Sequence, residues 1–128
     1  MADTHALVFH ASRNSRLGAH ARKLFAACDR REAVIWVPAA VMWEFSALAR
    51  AGRINLHRSV RDFFGDLFSN PAFQPLPTTA AHVLDADELR FTRDPFDALI
   101  VAAARERSVP LITRDLDIVE SGLVSTIW

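Results

Sequence analysis

The chain has 128 residues, is 51% hydrophobic and carries 15 basic and 15 acidic residues, which gives a formal net charge of zero. This length and composition predict one compact domain with a single core and argue against a disordered chain. Because there is no excess of positive charge, no protein-wide field indicates a nucleic-acid binder, although a local basic surface remains compatible with that function.

The sequence favours a cytoplasmic protein without membrane association. Cys28 is the only cysteine, which excludes an intrachain disulfide and a cysteine-based metal site and is typical of a reducing compartment. The first residues lack the pattern of a secretory signal peptide. The longest apolar stretch, residues 33–43, is shorter than the roughly 20 residues that a membrane-spanning helix needs.

The first half of the chain alternates extended and helical patterns. A very short extended segment before Asp3 is followed by an apolar run that is either helical or extended. Apolar spacing predicts a helix from Ser15 to Cys28 and a strand over residues 34–37. The next predicted helix covers residues 39–51 and is ended by Gly52.

The second half continues the alternation. Amphipathic spacing predicts a helix over residues 58–69, and a helix capped by Thr79 runs to about Leu89. The segment 73–76 is a weaker candidate strand because it contains Pro75. Two further strands are expected over residues 109–112 and 124–128. Strands that alternate with helices predict a small parallel sheet with helices on both faces.

Asp94-Pro95 is a strong helix-start signal, because Asp is a preferred N-cap and Pro is tolerated at the first helical position. Asp94 is therefore most simply a cap. Asp97 falls at the third helical position, and the residues after it are apolar on almost every face. A carboxylate at the rim of a buried helix needs a cation, a hydrogen-bond donor or a metal as its partner.

Three other acidic residues occur where an α/β sheet presents its strand ends. Asp115 follows the predicted strand 109–112, Asp3 follows the short first strand, and Glu44 interrupts the apolar stripe of the helix 39–51. Simpler interpretations are an N-cap for Asp3 and a salt-bridged helix residue for Glu44. In open α/β sheets, however, ligands bind at the carboxyl ends of the strands. We therefore expect these acids to meet Asp97 in one crevice.

Four carboxylates in one crevice repel one another and need cations to remain ionised. Oxygen ligands without cysteine favour Mg²⁺ or Mn²⁺ over zinc. Such sites activate water and neutralise a phosphodiester during hydrolysis. The acidic residues thus indicate nuclease chemistry.

Four segments of this sequence resemble the successive motifs of the PIN-domain family, and most closely its VapC-type toxins. They are Asp3-Thr4-His5-Ala6-Leu7, Trp43-Glu44-Phe45, Asp94-Pro95-Phe96-Asp97-Ala98-Leu99-Ile100 and Leu111-Ile112-Thr113-Arg114-Asp115. The resemblance covers nearly the whole chain. It implies a single PIN-like α/β domain over residues 1–128, with a small central parallel sheet of about 4–5 short strands flanked by helices.

The resemblance also implies an activity and its partners. The expected protein is an endoribonuclease that uses Mg²⁺ or Mn²⁺ as cofactor, forms a homodimer and is the toxin of a type II toxin–antitoxin pair. Its partners would be an RNA substrate and a cognate antitoxin protein. By motif position, the family's catalytic and metal-binding acids match Asp3, Glu44, Asp97 and Asp115. Thr113 matches the hydroxyl residue beside the last acid.

Other roles and functions remain open on the sequence. Asp94 would support the site or only cap the helix, and Arg93 and Arg114 would hold RNA phosphates or act as counter-ions to the acids. One alternative function is a catalytically silent PIN-like module that binds RNA or protein. Another is a phosphohydrolase of small substrates, which is disfavoured because no second Asp stands two residues after Asp3.

Overall fold

The computed structural model describes all 128 residues and contains seven helices and four strands. In chain order these are α1 (Thr4–Ala11), α2 (Ala19–Asp29), β1 (Ile35–Pro38), α3 (Ala39–Arg50), α4 (Val60–Ser69), β2 (Phe73–Leu76), α5 (Ala80–Glu88), α6 (Pro95–Arg107), β3 (Leu111–Ile112), α7 (Leu116–Ser121) and β4 (Thr126–Ile127). None of the helices has the length and apolar character needed to cross a bilayer.

The strands form two parallel pairs, β1 with β2 and β3 with β4. The residues before α1 connect these pairs. The Ala2 N–H donates to the carbonyl of Trp36 in β1 at 2.9 Å, and Ala2 also forms a parallel bridge with Ile112 in β3. Residues 1–3 therefore lie between β1 and β3. The very short first strand expected from the sequence occupies the centre of the sheet, and Asp3 stands at its carboxyl end.

The core is one cluster of 30 buried apolar residues. Helix α6 contributes most of its length to this cluster, as expected from its uniformly apolar sequence. Its buried residues are Ala98, Ile100, Val101, Ala102, Ala103 and Ala104. Three phenylalanines form a second part of the core, because the ring of Phe45 lies 4.8 Å from that of Phe63 and 5.3 Å from that of Phe64. This packing joins α3 to α4.

The structure departs from the sequence expectations at two helices and confirms the weaker candidate strand. The first long helix begins at Ala19 rather than at Ser15, because Gly18 is its N-cap in an extended conformation. Segment 73–76 is a strand despite Pro75, which is tolerated because β2 pairs only with β1. Helix α7 was not expected, and its signals were an Asp cap at Asp115 and a left-handed glycine, Gly122, with φ of 63°.

Candidate active site

The acids singled out in the sequence stand at one edge of the sheet. Asp3 ends the central segment, and Asp115 follows β3 by a few residues. Glu44 lies in the second turn of α3, which follows β1 directly, and Asp97 lies in the first turn of α6. Their charges act on one another: Asp94, Asp115, Asp3 and Glu44 all raise the pKa of Asp97. The fold thus brings all four expected acids together with Asp94.

Asp97 is strongly perturbed by this arrangement. Burial is the largest cause and, together with the negative charges of the other acids, raises its pKa from 3.8 to about 7. No hydrogen bond to its carboxylate and no ion pair offsets this effect, since none of the four ion pairs in the structure involves Asp97. Asp97 is thus a half-buried acid without a partner from the protein.

Asp3 is buried, with 3% of its surface exposed. The hydroxyl of Thr113 donates to Asp3 Oδ2 at 2.7 Å. Burial raises the pKa of Asp3, and the Thr113 hydrogen bond and the charge of His5 oppose this increase. The hydroxyl oxygen of Thr113 also accepts from the backbone N–H of Asp115 at 3.0 Å. Thr113 therefore fixes two of the acids relative to each other.

Glu44 is held by a residue that the sequence analysis did not single out. The buried hydroxyl of Thr4, the first residue of α1, donates to Glu44 Oε2 at 2.5 Å. Burial raises the pKa of Glu44, the Thr4 hydrogen bond lowers it, and the charges of Asp3 and Asp94 raise it again. The available signal was a hydroxyl residue directly after Asp3 at the start of an apolar run, but its partner lies 40 positions away.

Asp94 and Asp115 both cap helices. Asp94 Oδ1 accepts from the backbone N–H of Phe96 at 2.8 Å, which is the capping geometry that Asp94-Pro95 predicts. Asp115 Oδ1 accepts from the N–H of Ile118 at 3.2 Å at the start of α7. Each cap leaves the second carboxylate oxygen without a hydrogen bond from the chain, so these oxygens can act as ligands as well.

The neighbouring arginines are not counter-ions to the acids. Arg93 and Arg114 are exposed, and neither forms an ion pair with a carboxylate. The Arg114 guanidinium instead lies over the ring of Phe9 at 5.4 Å. It also borders an open cleft of about 320 Å³ lined by His5, Arg114, Asp115, Leu116 and Asp117. The acids therefore have no arginine partner, although exposed guanidinium groups lie at their border.

The chemistry of these side chains fits a hard divalent cation, since all the candidate ligands are carboxylate oxygens. An unpartnered Asp97 surrounded by like charges is the second feature that fits, because a cation would remove the repulsion. As the side chains stand, however, no three acidic, histidine or cysteine side chains are close enough together to hold a metal ion. Binding would require the carboxylates to draw together.

Comparisons with known proteins agree with this architecture. The family model described as PIN domain matches residues 1–121. The chain is also similar to a chain in the crystal structure of VapBC2 from Rickettsia felis bound to a DNA fragment from their promoter, with a TM-score of 0.70 and 13% sequence identity. The match covers 99% of this chain and 96% of that chain, which confirms the expected fold class. No curated protein sequence matches the chain.

Proposed function

The chain belongs to the PIN-domain family, whose members are generally nucleases, and we propose that it is an endoribonuclease dependent on Mg²⁺ or Mn²⁺. We also propose that residues 1–128 form a single catalytic domain, that it acts as the toxin of a type II toxin–antitoxin pair in the cytoplasm, and that it works as a homodimer with a cognate antitoxin. Support for the antitoxin partner is the fold shared with a chain of the VapBC2 complex.

The observation that carries the nuclease proposal is the state of Asp97. This carboxyl is half-buried, its pKa is raised to about 7, and the charges of four other acids contribute to that shift. Such an arrangement is unfavourable for the protein alone, because each charge disfavours the ionisation of the others. Perturbed acids of this kind concentrate at functional sites, where a bound cation or a reacting group uses them.

Asp3, Glu44, Asp97 and Asp115 are the residues that would hold the ion. The chemistry that a bound Mg²⁺ or Mn²⁺ supplies is activation of water and neutralisation of the phosphodiester charge. Thr113 and Thr4 orient Asp3 and Glu44 through their hydroxyl groups. Asp94 keeps the first turn of α6 in place and adds negative charge beside Asp97.

The exposed arginines supply the contacts that RNA needs beside this negative site. Arg93 and Arg114 have no acidic partner and would bind phosphates near the cleaved bond, because a guanidinium group matches the geometry of phosphate oxygens. His5 borders the same cleft as Arg114 and Asp115. These positive groups would offset the repulsion between the RNA backbone and the acids while the substrate enters.

The direct test compares two variants that each remove one acid from the same region. Asp97→Asn should abolish RNA cleavage in Mg²⁺ or Mn²⁺, whereas Asp117→Asn, at an exposed residue of the cleft that Asp115 also lines, should leave cleavage close to that of the parent. Thermal unfolding of both variants checks that the fold is kept. Cleavage by Asp97→Asn at the parental rate, or cleavage that persists in EDTA, would contradict the proposal.

A catalytically silent PIN-like binding module is the second candidate. The observation that favours it is that no three potential ligands are close enough together to hold an ion. A titration with Mn²⁺ separates the two candidates, because a working site is stabilised against unfolding when it binds the metal. A silent module would bind RNA or protein with no metal-dependent change in stability and no cleavage.

A further inference from the structure

A groove of about 640 Å³ lies between the C-terminal end of α1, the residues after it, and the connection from α3 to α4. The charged and titratable residues that line it are all basic: Arg13, Arg16, Arg53, His57 and Arg58. No Asp or Glu borders the groove, although acidic and basic residues are equal in number over the whole chain. Positive charge is therefore segregated to this surface.

Most of this charge is not neutralised within the protein. Arg58 forms an ion pair with Asp66, but Arg13, Arg16 and Arg53 are exposed and have no acidic partner. Two asparagines shape the loops that present the basic residues. Asn14 Oδ1 accepts from the backbone N–H of Arg16 at 2.9 Å, and Asn55 Oδ1 accepts from that of His57 at 3.0 Å.

Helix α1 connects this groove to the acidic site. Thr4 at its start binds Glu44, and Ala11 at its end borders the groove. The helix has eight residues, Thr4–Ala11, and is about 12 Å long at 1.5 Å per residue. Phe9 gives a second connection, because it lines the groove and also lies beneath the guanidinium of Arg114, which borders the acidic cleft.

We propose that this groove binds the phosphate backbone of single-stranded RNA that extends from the acidic site. The choice of RNA rests on the proposed nuclease function. Arginine groups without counter-ions match phosphate in charge and in bidentate geometry. The groove would hold the substrate while the acids act on a bond nearby.

The basic charge of the groove and the burial of its aromatic rings favour a nucleic acid over a protein partner. Its aromatic rings, Phe9, Phe45 and Phe63, are each 7% exposed or less. A protein segment docking in a groove normally buries apolar anchors in pockets, and these rings leave little apolar surface for that purpose. The groove also presents four arginine side chains, Arg13, Arg16, Arg53 and Arg58, whose guanidinium groups recognise phosphate.

The test measures RNA binding apart from cleavage. The probe is a fluorescein-labelled single-stranded RNA of mixed sequence, about 16 nucleotides long, titrated with the full chain in EDTA over a series of KCl concentrations. The triple variant Arg13→Gln, Arg16→Gln, Arg53→Gln should bind the probe roughly tenfold more weakly. In a plot of log Kd against log salt concentration, its slope should be smaller than that of the parent by about 2, because each lost phosphate contact lowers the slope by about 0.7.

The matched control removes three exposed positive charges outside the groove, in Lys23→Gln, Arg61→Gln, Arg105→Gln. Both sets should keep the parental thermal midpoint, and the control should lose little affinity or salt dependence. Equal losses in the two triple variants, or parental binding by the groove variant, would overturn the proposal. Displacement of RNA by polyglutamate at equal charge would overturn it too, since the groove would then bind any polyanion.

The outcome is separable from that of the nuclease proposal. If the groove variant loses RNA affinity but the parent never cleaves RNA with any divalent metal, the groove stands and the nuclease proposal fails. If the parent cleaves RNA through Asp97 while the groove variant binds RNA as the parent does, the nuclease proposal stands and the groove assignment fails.

Discussion

Thr113 and Asp3, 110 positions apart in the chain, are joined by a 2.7 Å hydrogen bond from the Thr113 hydroxyl to Asp3 Oδ2. Both side chains are buried. The two residues extend neighbouring strands of the central sheet, where the backbone N–H of Asp3 donates to the carbonyl of Ile112 at 3.2 Å. Main-chain pairing therefore sets the distance at which the two side chains meet.

Replacing Thr113 by Val should reduce both stability and activity. It leaves the buried carboxylate of Asp3 without its donor, which costs about 1–3 kcal/mol of unfolding free energy. Loss of an orienting hydrogen bond to a ligand typically lowers activity by about 10–100-fold. Thr113→Ser keeps the hydroxyl and should remain close to the parent. Urea unfolding and RNA cleavage of both variants test this, and equal behaviour of Val and Ser would contradict it.

Thr4→Val should lower the activity by removing the hydrogen bond that holds Glu44. The lost 2.5 Å hydrogen bond is the main influence that lowers the pKa of Glu44, so that pKa should rise further in the variant. We expect the acidic limb of the pH–rate profile to move to higher pH and cleavage at neutral pH to fall by about 10–100-fold. Thr4→Ser should restore both. A uniform loss of rate with an unchanged profile would point to packing alone.

The metal-free protein should lose stability as the pH rises from about 4 to above 7. The folded state holds a proton on Asp97 up to a pKa of about 7, while the unfolded chain releases it near 3.8. Proton binding therefore favours the folded state at low pH, and that contribution disappears through the folded pKa. Asp97→Asn should flatten this dependence and be the more stable protein above pH 7. Chemical denaturation of both proteins across this pH range measures the unfolding free energy. The same pH dependence in the parent and in Asp97→Asn would show that Asp97 is not the group responsible.

Addition of Mn²⁺ should raise the thermal midpoint, and more above pH 7 than near pH 5. Metal ligands must be deprotonated, and Asp97 loses its proton only near pH 7. At about 100 times the Kd, binding to the folded state adds about 2.7 kcal/mol to the unfolding free energy. The increase should be absent in Asp97→Asn and kept in Asp117→Asn. A calorimetric shift that is the same at both pH values would exclude Asp97 as a ligand.

Gly18→Ala should destabilise the fold. An added Cβ would lie 2.6 Å from Trp128 Cδ1 and close to its main-chain carbon, so the end of the chain would have to move. Overpacking of this kind costs about 1–3 kcal/mol. Gly65→Ala is the control, because no atom lies within 4 Å of the added Cβ and the residue is inside α4. Gly65→Ala should stabilise the protein by about 0.5–1 kcal/mol. The denaturant concentrations at the unfolding midpoints of the two variants and the parent test both expectations.

Local sequence patterns were sufficient to predict most of the helices and strands. The predicted helices 39–51 and 58–69 correspond to α3 and α4 within two residues, because apolar spacing and stop signals are properties of short segments. Helix α7 was not predicted because its six residues are too few to show a helical period. The start of α2 differs from the prediction because the three residues between Asn14 and Gly18 form a turn and a bend before Gly18 caps the helix.

By itself, the sequence determined the order of most elements, the parallel α/β class and the set of acids worth testing, since these follow from spacing and motif. Only the tertiary structure decided that residues 1–3 are the centre of the sheet and that Thr4 and Thr113 hold Glu44 and Asp3. It also decided that Asp97 has no partner and that Arg13 and Arg53 face one groove. Burial and charge interactions depend on distances between segments tens of residues apart, which no local pattern specifies.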